Sequence, residues 1–235
     1  MLQVFCDFDG TISEEDSLKL LFHHFLPDQW PALQAQMYSK KISEKEALSL
    51  ALELMPVSPK EARDWILDRV KLDPSFFEFA NWCRKQGFDL QILSGGFDIF
   101  IHALFERDMI FHQKVTSNQL RDAHSWNLRK SSDSRDICED FTHCKCASMK
   151  QLTRPDASLV YIGDGWTDFC PAKKMEYVFA KKDLKDFMKR SDKKFFEFSN
   201  FFDIQKTLEA LLTKNQIGSL GLSDESSILI EPLEA

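Results

Sequence analysis

The stretch Leu2-Gln3-Val4-Phe5-Cys6-Asp7-Phe8-Asp9-Gly10-Thr11 decides how this chain folds. Its apolar opening, Leu2 to Cys6, ends abruptly in two aspartates and a glycine. Runs of this kind are typical of strands buried on both faces of a parallel sheet. The same texture returns in Phe88–Leu93, which ends at Ser94-Gly95-Gly96, and in Leu159–Ile162, which ends at Gly163-Asp164-Gly165. Tyr177–Ala180 reads as a fourth strand. Helical stretches are expected near 98–106, 145–153, 167–175 and 200–213. Strands alternating with helices predict a doubly wound, Rossmann-like parallel sheet, an α/β fold.

After the first strand the texture turns helical. Leu18, Leu21, Phe22 and Phe25 recur at one-face spacing. Ser43 with Glu46, and Ser58-Pro59 with Glu61, read as helix starts. Asp73-Pro74 opens a further helix that stops at Gly87. The expected organisation is a catalytic core of residues 1–13 and 72–213, an inserted helical cap of 14–71, and a flexible tail of 214–235.

The chain has 235 residues, 43% of them hydrophobic, with 21 Phe, enough for a substantial core. A net charge of −7 argues against a nucleic-acid partner, which would call for a basic face. The short lysine pairs (Lys40-Lys41, Lys173-Lys174, Lys181-Lys182, Lys193-Lys194) read as solvated helix faces. No run reaches the ~18 apolar residues of a membrane span, and Met1–Cys6 has no basic segment of a secretion signal. Six cysteines without such a signal suit free thiols in a reducing, cytoplasmic setting. The oligomeric state is not legible.

Ligands of open α/β sheets gather beyond the carboxyl ends of the strands. There the strand-end loops would bring together Asp7, Asp9, Asp164 and Asp168, which repel unless a cation shares the site. Compact hard-oxygen ligands suit Mg²⁺. An aspartate can attack phosphorus and split a hard hydrolysis into two easier steps. A second aspartate two residues on can protonate the leaving oxygen and then activate water. Ser94 and the N–H groups of Gly95 and Gly96 can hold phosphate oxygens, with Thr11 as a further substrate-binding candidate. A nearby lysine would offset charge on the transferring group.

In combination, Asp7-Phe8-Asp9-Gly10-Thr11, Ser94, a lysine at a helix start and Gly163-Asp164-Gly165-Trp166-Thr167-Asp168 resemble the haloacid dehalogenase superfamily over about residues 2–180. The resemblance implies that Asp7 is nucleophile and first metal ligand. It makes Asp9 the acid/base, binding metal through its backbone carbonyl, and Ser94 the phosphate ligand. It has Asp164 complete the metal site, and Asp168 bind metal or water or fix the lysine. Cys144-Lys145 matches the helix start of the phosphoserine-phosphatase-like branch, so Lys145 is preferred to Lys150. Within that branch the chain is similar to the methionine-salvage phosphatases in CDFDGTIS, ILSGGFDIF and GDGWTD. Asp168-Phe169-Cys170-Pro171 is instead similar to the phosphoethanolamine/phosphocholine phosphatases. A small phosphorylated metabolite is the implied partner, with phosphoserine a further alternative. An inactive binding module on this fold would be expected to have lost Asp7 or Asp9.

Cys138, Cys144 and Cys146 beside His143 lack a regular zinc spacing and are expected to be ordinary thiols. Trp30, Trp65 and Trp82 are expected in the core. Glu14, Glu15 and Asp16 are expected to reach substrate from the cap hinge.

Overall fold

β1 (Leu2–Asp7) is buried along its whole length and lies inside a six-stranded sheet. The computed structural model describes residues 1–121, 124–128 and 140–214. The other strands are β2 (Asp89–Phe97), β3 (Lys114–Asn118), β4 (Ser158–Gly163), β5 (Tyr177–Ala180) and β6 (Phe196–Glu197). All pairings are parallel, in the order β3-β2-β1-β4-β5-β6. This is the doubly wound α/β order, and its crevice forms where the strand order reverses, around β1. Even the polar members of the central strands are satisfied. Gln3 donates to Asp89 (3.1 Å) and to the Leu152 carbonyl (2.9 Å), and accepts from the Arg154 N–H (3.0 Å).

Four helices come between β1 and the core helix α5 (Ser75–Lys85): α1 (Ser17–Phe25), α2 (Gln29–Tyr38), α3 (Glu44–Leu54) and α4 (Pro59–Arg69). Complete capping boxes start α3 at Ser43/Glu46 and α4 at Ser58/Glu61, as the sequence predicts. The insertion leaves and re-enters the core at one place. Ser13 bridges Leu72 in antiparallel fashion, the Glu14 N–H donates to the Lys71 carbonyl, and the Asp73 N–H donates to Ile12.

The remaining helices are α6 (Asp98–Arg107), α7 (Lys145–Leu152), α8 (Phe169–Ala172), α9 (Lys182–Arg190) and α10 (Phe201–Thr213). Three elements go beyond the sequence expectation. β3 and β6 are short edge strands without an apolar run, the form in which sheets blunt their edges. α9 follows β5 immediately and buries Leu184 and Met188 at i, i+4 spacing. The expected helix 167–175 is a single 3₁₀ turn (Trp166–Asp168) and the four-residue α8. Among the described residues no helix is long and apolar enough to cross a membrane. The expected tail beyond Lys214 lies outside the described residues, as does Cys138.

An aromatic cluster seats α5 against α6 and α10. Phe76 is fully buried, stacked on Phe105 (5.8 Å between centroids) and edge-on to Phe201 (5.0 Å). Phe76→Ala should cost about 3–5 kcal/mol. Urea unfolding should show this as a lower midpoint with an unchanged slope.

Candidate active site

Asp7 is the last residue of β1, and the turn after it is tightly folded. The N–H groups of Thr11, Ile12 and Ser13 all donate to the Phe8 carbonyl. Gly10 has φ +80°, and a Cβ there would collide with the Asp164 carboxylate, so both conformation and space require glycine.

Lys145 opens α7 behind its N-cap, Cys144. Its ammonium is buried and donates to Asp7 Oδ1 (2.5 Å) and Asp168 Oδ1 (2.6 Å). Lys150 lies on the exposed side of the same helix. Asp168, fully buried, accepts four hydrogen bonds. Lys145 and the Tyr161 hydroxyl (2.6 Å) donate to Oδ1; the N–H groups of Asp164 (3.1 Å) and Gly165 (3.0 Å) donate to Oδ2. A carboxylate has about four lone-pair sites, so these donors saturate it. Of the roles expected for Asp168, the geometry favours fixing the lysine over binding metal.

Asp164, at the end of β4, accepts from the Thr11 hydroxyl (3.3 Å) and from Lys182 (3.0 Å). Thr11 is fully buried and committed to Asp164, which sets it behind the site rather than against substrate. Lys182 also donates to the Gly10 carbonyl (2.8 Å), and Lys181 donates to the Thr11 carbonyl (3.3 Å) while lying over the Phe198 ring. The expectation of a solvated pair holds for Lys182 in part, since it stays exposed while reaching Asp164, whereas Lys181 is half-buried. The pair follows β5 directly, where the strand-end rule would have found it. Lys182 holds a left-handed φ of +47°, a strained conformation for a non-glycine residue.

Asp9 lines the same cavity as Asp7 but has different partners. Its Oδ1 accepts from the N–H (2.9 Å) and hydroxyl (2.5 Å) of Ser17, at the start of α1; its Oδ2 accepts from Ser94 (3.0 Å). The Ser94 hydroxyl in turn accepts from the Gly96 N–H (2.8 Å). The register of β2 with β3 shifts between Leu93 and Phe97, so Ser94, Gly95 and Gly96 form an irregularity in the ladder, and Gly95 and Gly96 line that cavity. A Cβ on Gly96 would lie 2.8 Å from Asp9 Oδ2, whereas Gly95 has open space.

Burial raises the Asp7 carboxyl well above the usual range, as do Asp168 and Asp164, with Lys145 opposing. Asp164 is raised by burial and by Asp168, with Lys182 opposing. Burial and then Asp16 push Asp9 up to about 6, against the hydrogen bonds from Ser17 and Ser94. Burial works against the Lys145 charge, but Asp168 and Asp7 outweigh it and hold the ammonium protonated.

Asp7, Asp9, Gly10, Gly95, Gly96, Asp164 and Lys182 line the floor of a cavity of about 440 Å³ between the sheet and the inserted helices, while Ser94, Lys145 and Asp168 are buried and do not line it. Its walls include Glu14, Glu15 and Asp16, as expected from the sequence, and also Lys19, Glu44, Leu48 and Trp166. Trp30 is both buried and part of the wall, while Trp65 and Trp82 are half-buried.

A haloacid dehalogenase-like hydrolase profile matches residues 4–173. The chain belongs to this family. It is 31% identical to a Geobacillus thermodenitrificans 2-hydroxy-3-keto-5-methylthiopentenyl-1-phosphate phosphatase, over 89% of this chain and 96% of that one. It is 34% identical to Pdp3-interacting factor 1 of Schizosaccharomyces pombe, again over 89% and 96% of the two chains. In fold it is similar to a phosphoserine phosphatase solved as a phospho-aspartyl intermediate analogue (TM-score 0.66, 16% identity, 89% of this chain and 98% of that one).

Haloacid dehalogenase-like hydrolases imply Mg²⁺, and the charge balance here fits a divalent cation. Oxygens of Asp7, Asp164 and Asp168 lie within 4.8 Å of one another, all buried. Lys145 and Lys182 supply two positive charges to these three carboxylates, leaving a deficit that burial makes costly. With Asp168 saturated, Asp7 and Asp164 are the side chains fitted to hold the ion. Among the described residues this is the only such three-ligand group, so Cys144, Cys146 and His143 form none.

One polar chain escaped the sequence reading. Asn118, at the end of β3, donates to the Gly95 carbonyl (2.7 Å) and to the Thr142 hydroxyl (2.9 Å), and the Thr142 N–H donates to Glu44 (2.9 Å) at the start of α3. It ties the inserted helices to the Ser94 loop. Burial pushes Glu44 from its ordinary 4.5 up to about 7, against the hydrogen bonds from Thr142. The protonated form is thus favoured by folding. Stability from this group is complete below about 4.5 and is lost as pH rises through about 7. Glu44→Gln, neutral throughout, should show a smaller fall in thermal midpoint between pH 5 and pH 8 than the unaltered protein. Equal falls would count against the assignment.

Proposed function

We propose that the protein is a magnesium-dependent phosphomonoester hydrolase that works through an aspartyl-phosphate on Asp7. The observation that carries this reading is the buried Lys145 ammonium clamped between Asp7 and Asp168, where Asp7, Asp9 and Asp164 line a cavity and Ser94 is bonded to Asp9. An Asp7 oxygen attacks phosphorus and the ester P–O bond breaks. Asp9, held near neutrality by burial, gives its proton to the leaving oxygen. It then takes a proton from the water that attacks the phosphorus of the aspartyl-phosphate, releasing phosphate and regenerating Asp7. Lys145 fixes Asp7 and offsets charge on the transferring group, while the Gly95 N–H, and Ser94 and the Gly96 N–H on exchanging their bonds to Asp9 and Ser94, receive its equatorial oxygens. Mg²⁺, when bound by Asp7 and Asp164, supplies the positive charge that lets a carboxylate approach a phosphate dianion.

Residues 14–71 act as a cap that closes over the substrate, pivoting on the paired segments around Ser13 and Leu72. Asp9 hydrogen-bonds Ser17 of that cap, so closure and placement of the acid/base are linked. Retention of Asp7, Asp9, Lys145 and Asp164 argues against an inactive binding module.

The substrate we favour is 2-hydroxy-3-keto-5-methylthiopentenyl-1-phosphate. The name of the Geobacillus relative supports it, and so does an apolar cap wall of Leu18, Leu20, Phe22, Trp30, Met37 and Leu48 that suits an uncharged thioether tail. Phosphoserine fits less well. Its carboxylate would face Glu14, Glu15, Asp16 and Glu44, and the wall lysines Lys19 and Lys182 already pair with Asp16 and Asp164. The same acids favour phosphoethanolamine or phosphocholine as the second reading.

Asp7→Asn should reduce hydrolysis of an aryl phosphate to background with the fold intact by circular dichroism, and EDTA should do the same until Mg²⁺ is restored. Full turnover in either case would overturn the mechanism. On a panel of phosphorylated metabolites, kcat/KM should be highest for the methylthio ketose phosphate and lowest for phosphoserine. A preference for phosphocholine would move the assignment to the second reading.

A further inference from the structure

We propose that Cys146 and Cys170 are a modification site, forming a reversible disulfide on exposure to hydrogen peroxide and thereby switching the Lys145–Asp168 ion pair carried by the same two segments. The two sulfurs lie 3.2 Å apart, joining α7 to α8. Cys146 directly follows Lys145, and Cys170 comes two residues after Asp168, so the sulfur pair joins the same two segments as the 2.6 Å contact between those charged groups.

Exposure assigns the order of events. Cys146 is buried, with 5% of its surface accessible, whereas Cys170 is half-buried and the more open of the two. The other described thiols, Cys6, Cys83 and Cys144, are buried. Burial raises Cys6 well above the ordinary thiol value and pushes Cys83 up to about 12. Burial and the Cys170 contact push Cys146 up to about 12 as well, so Cys170 makes the first attack, and Cys146 is set apart from the other buried thiols by the sulfur 3.2 Å away. Cys144 serves as the N-cap of α7, accepting from the Ala147 N–H.

The Cys170 sulfur attacks one peroxide oxygen, the O–O bond breaks, and the other oxygen leaves as water with the thiol proton. The product is a sulfenic acid on Cys170. The Cys146 sulfur then attacks the Cys170 sulfur and expels its hydroxyl, which leaves as a second water with the Cys146 proton. Two thiols have lost two electrons and two protons, and the peroxide has become two waters. A dithiol reductant reverses the bond by exchange.

An S–S bond is ~2.05 Å long, so the sulfurs must close by roughly 1.2 Å from their present separation. That movement is imposed on the segments that carry Lys145 and Asp168. A misplacement of ~1 Å can cost on the order of a hundredfold in rate. The effect on turnover rests on the phosphatase reading; formation of the bond does not.

The test uses the full-length, fully reduced protein treated with hydrogen peroxide. Peptide mass spectrometry without reductant should find Cys146 cross-linked to Cys170, with loss of two hydrogens. Aryl phosphate turnover should fall by about tenfold or more and return with dithiothreitol. Cys170→Ser should keep basal turnover and resist peroxide; Cys146→Ser should accumulate oxygen on Cys170 instead of the cross-link. Sulfinic or sulfonic acid on Cys170 without a cross-link, a bond to Cys138, or a cross-link that leaves turnover unchanged would each overturn the proposal. The mass readout needs no turnover, so failure of the site and failure of the phosphatase reading give different results.

Discussion

A lysine ammonium placed between two aspartates, out of reach of water, sets the terms for everything around Lys145. Removing such charges from solvent costs several kcal/mol per ion unless partners and hydrogen bonds replace the lost hydration. Here the replacement is specific: Asp7 and Asp168 on the ammonium, and Tyr161 with two backbone N–H groups on the far side of Asp168. Each partner comes from a different piece of chain, the ends of β1 and β4, the 3₁₀ turn and the start of α7. The arrangement therefore exists only when β1 and β4 pair in register and α7 is docked. Adjacent parallel strands meet that condition most simply, because their carboxyl ends fall side by side.

The same constraint explains the cation demand and the division of labour among the carboxylates. Asp168 spends all its acceptor capacity on positioning, so it cannot also be a flexible ligand. Asp7 and Asp164 retain more freedom and lie where positive charge is short. Asp9 is bonded instead to Ser17 and Ser94, which lets its proton affinity be set by burial and by Asp16 rather than by Lys145. Two residues apart in a strand they would share a face; because β1 ends at Asp7 and the chain turns at Phe8, the two aspartates acquire different environments, and different chemistry follows.

Much of this was legible in the sequence. β1, β2 and β4 are nearly continuous apolar runs, and each ends in a loop whose residue types have few other reasons to occur together. Lys145 could be preferred to Lys150 only by resemblance. The structure supplies the physical reason, since five residues advance a helix by about 140° past a full turn and carry Lys150 to the exposed face. What was not legible lacks either a periodic or a motif signal. β3 is polar, with Lys114, Thr116, Ser117 and Asn118 in five residues, and earns its place by pairing with β2 alone. Lys182 sits in a lysine pair that composition alone assigns to solvent. Glu44, Thr142 and Asn118 are far apart in the chain, and only the packing of the inserted helices on the core makes them neighbours.

That last network bears on how chemistry and substrate choice can be coupled in one small protein. The floor of the cavity is fixed by buried ion pairs, whereas its walls come from α1, α2 and α3, which hold to the core through Ser17 on Asp9 and Glu44 on Thr142. In the proposed mechanism both links end on groups assigned to the phosphate, the acid/base in one case and the Gly95 loop in the other. On that proposal, a substrate whose organic portion draws the cap down also orders the residues that cleave it. One that leaves the cap open keeps Asp9 and Gly95 without their restraints. Selectivity then resides less in how tightly the walls grip a substrate than in whether their closure completes the floor, which is how binding energy distant from the reacting atoms comes to act on the rate.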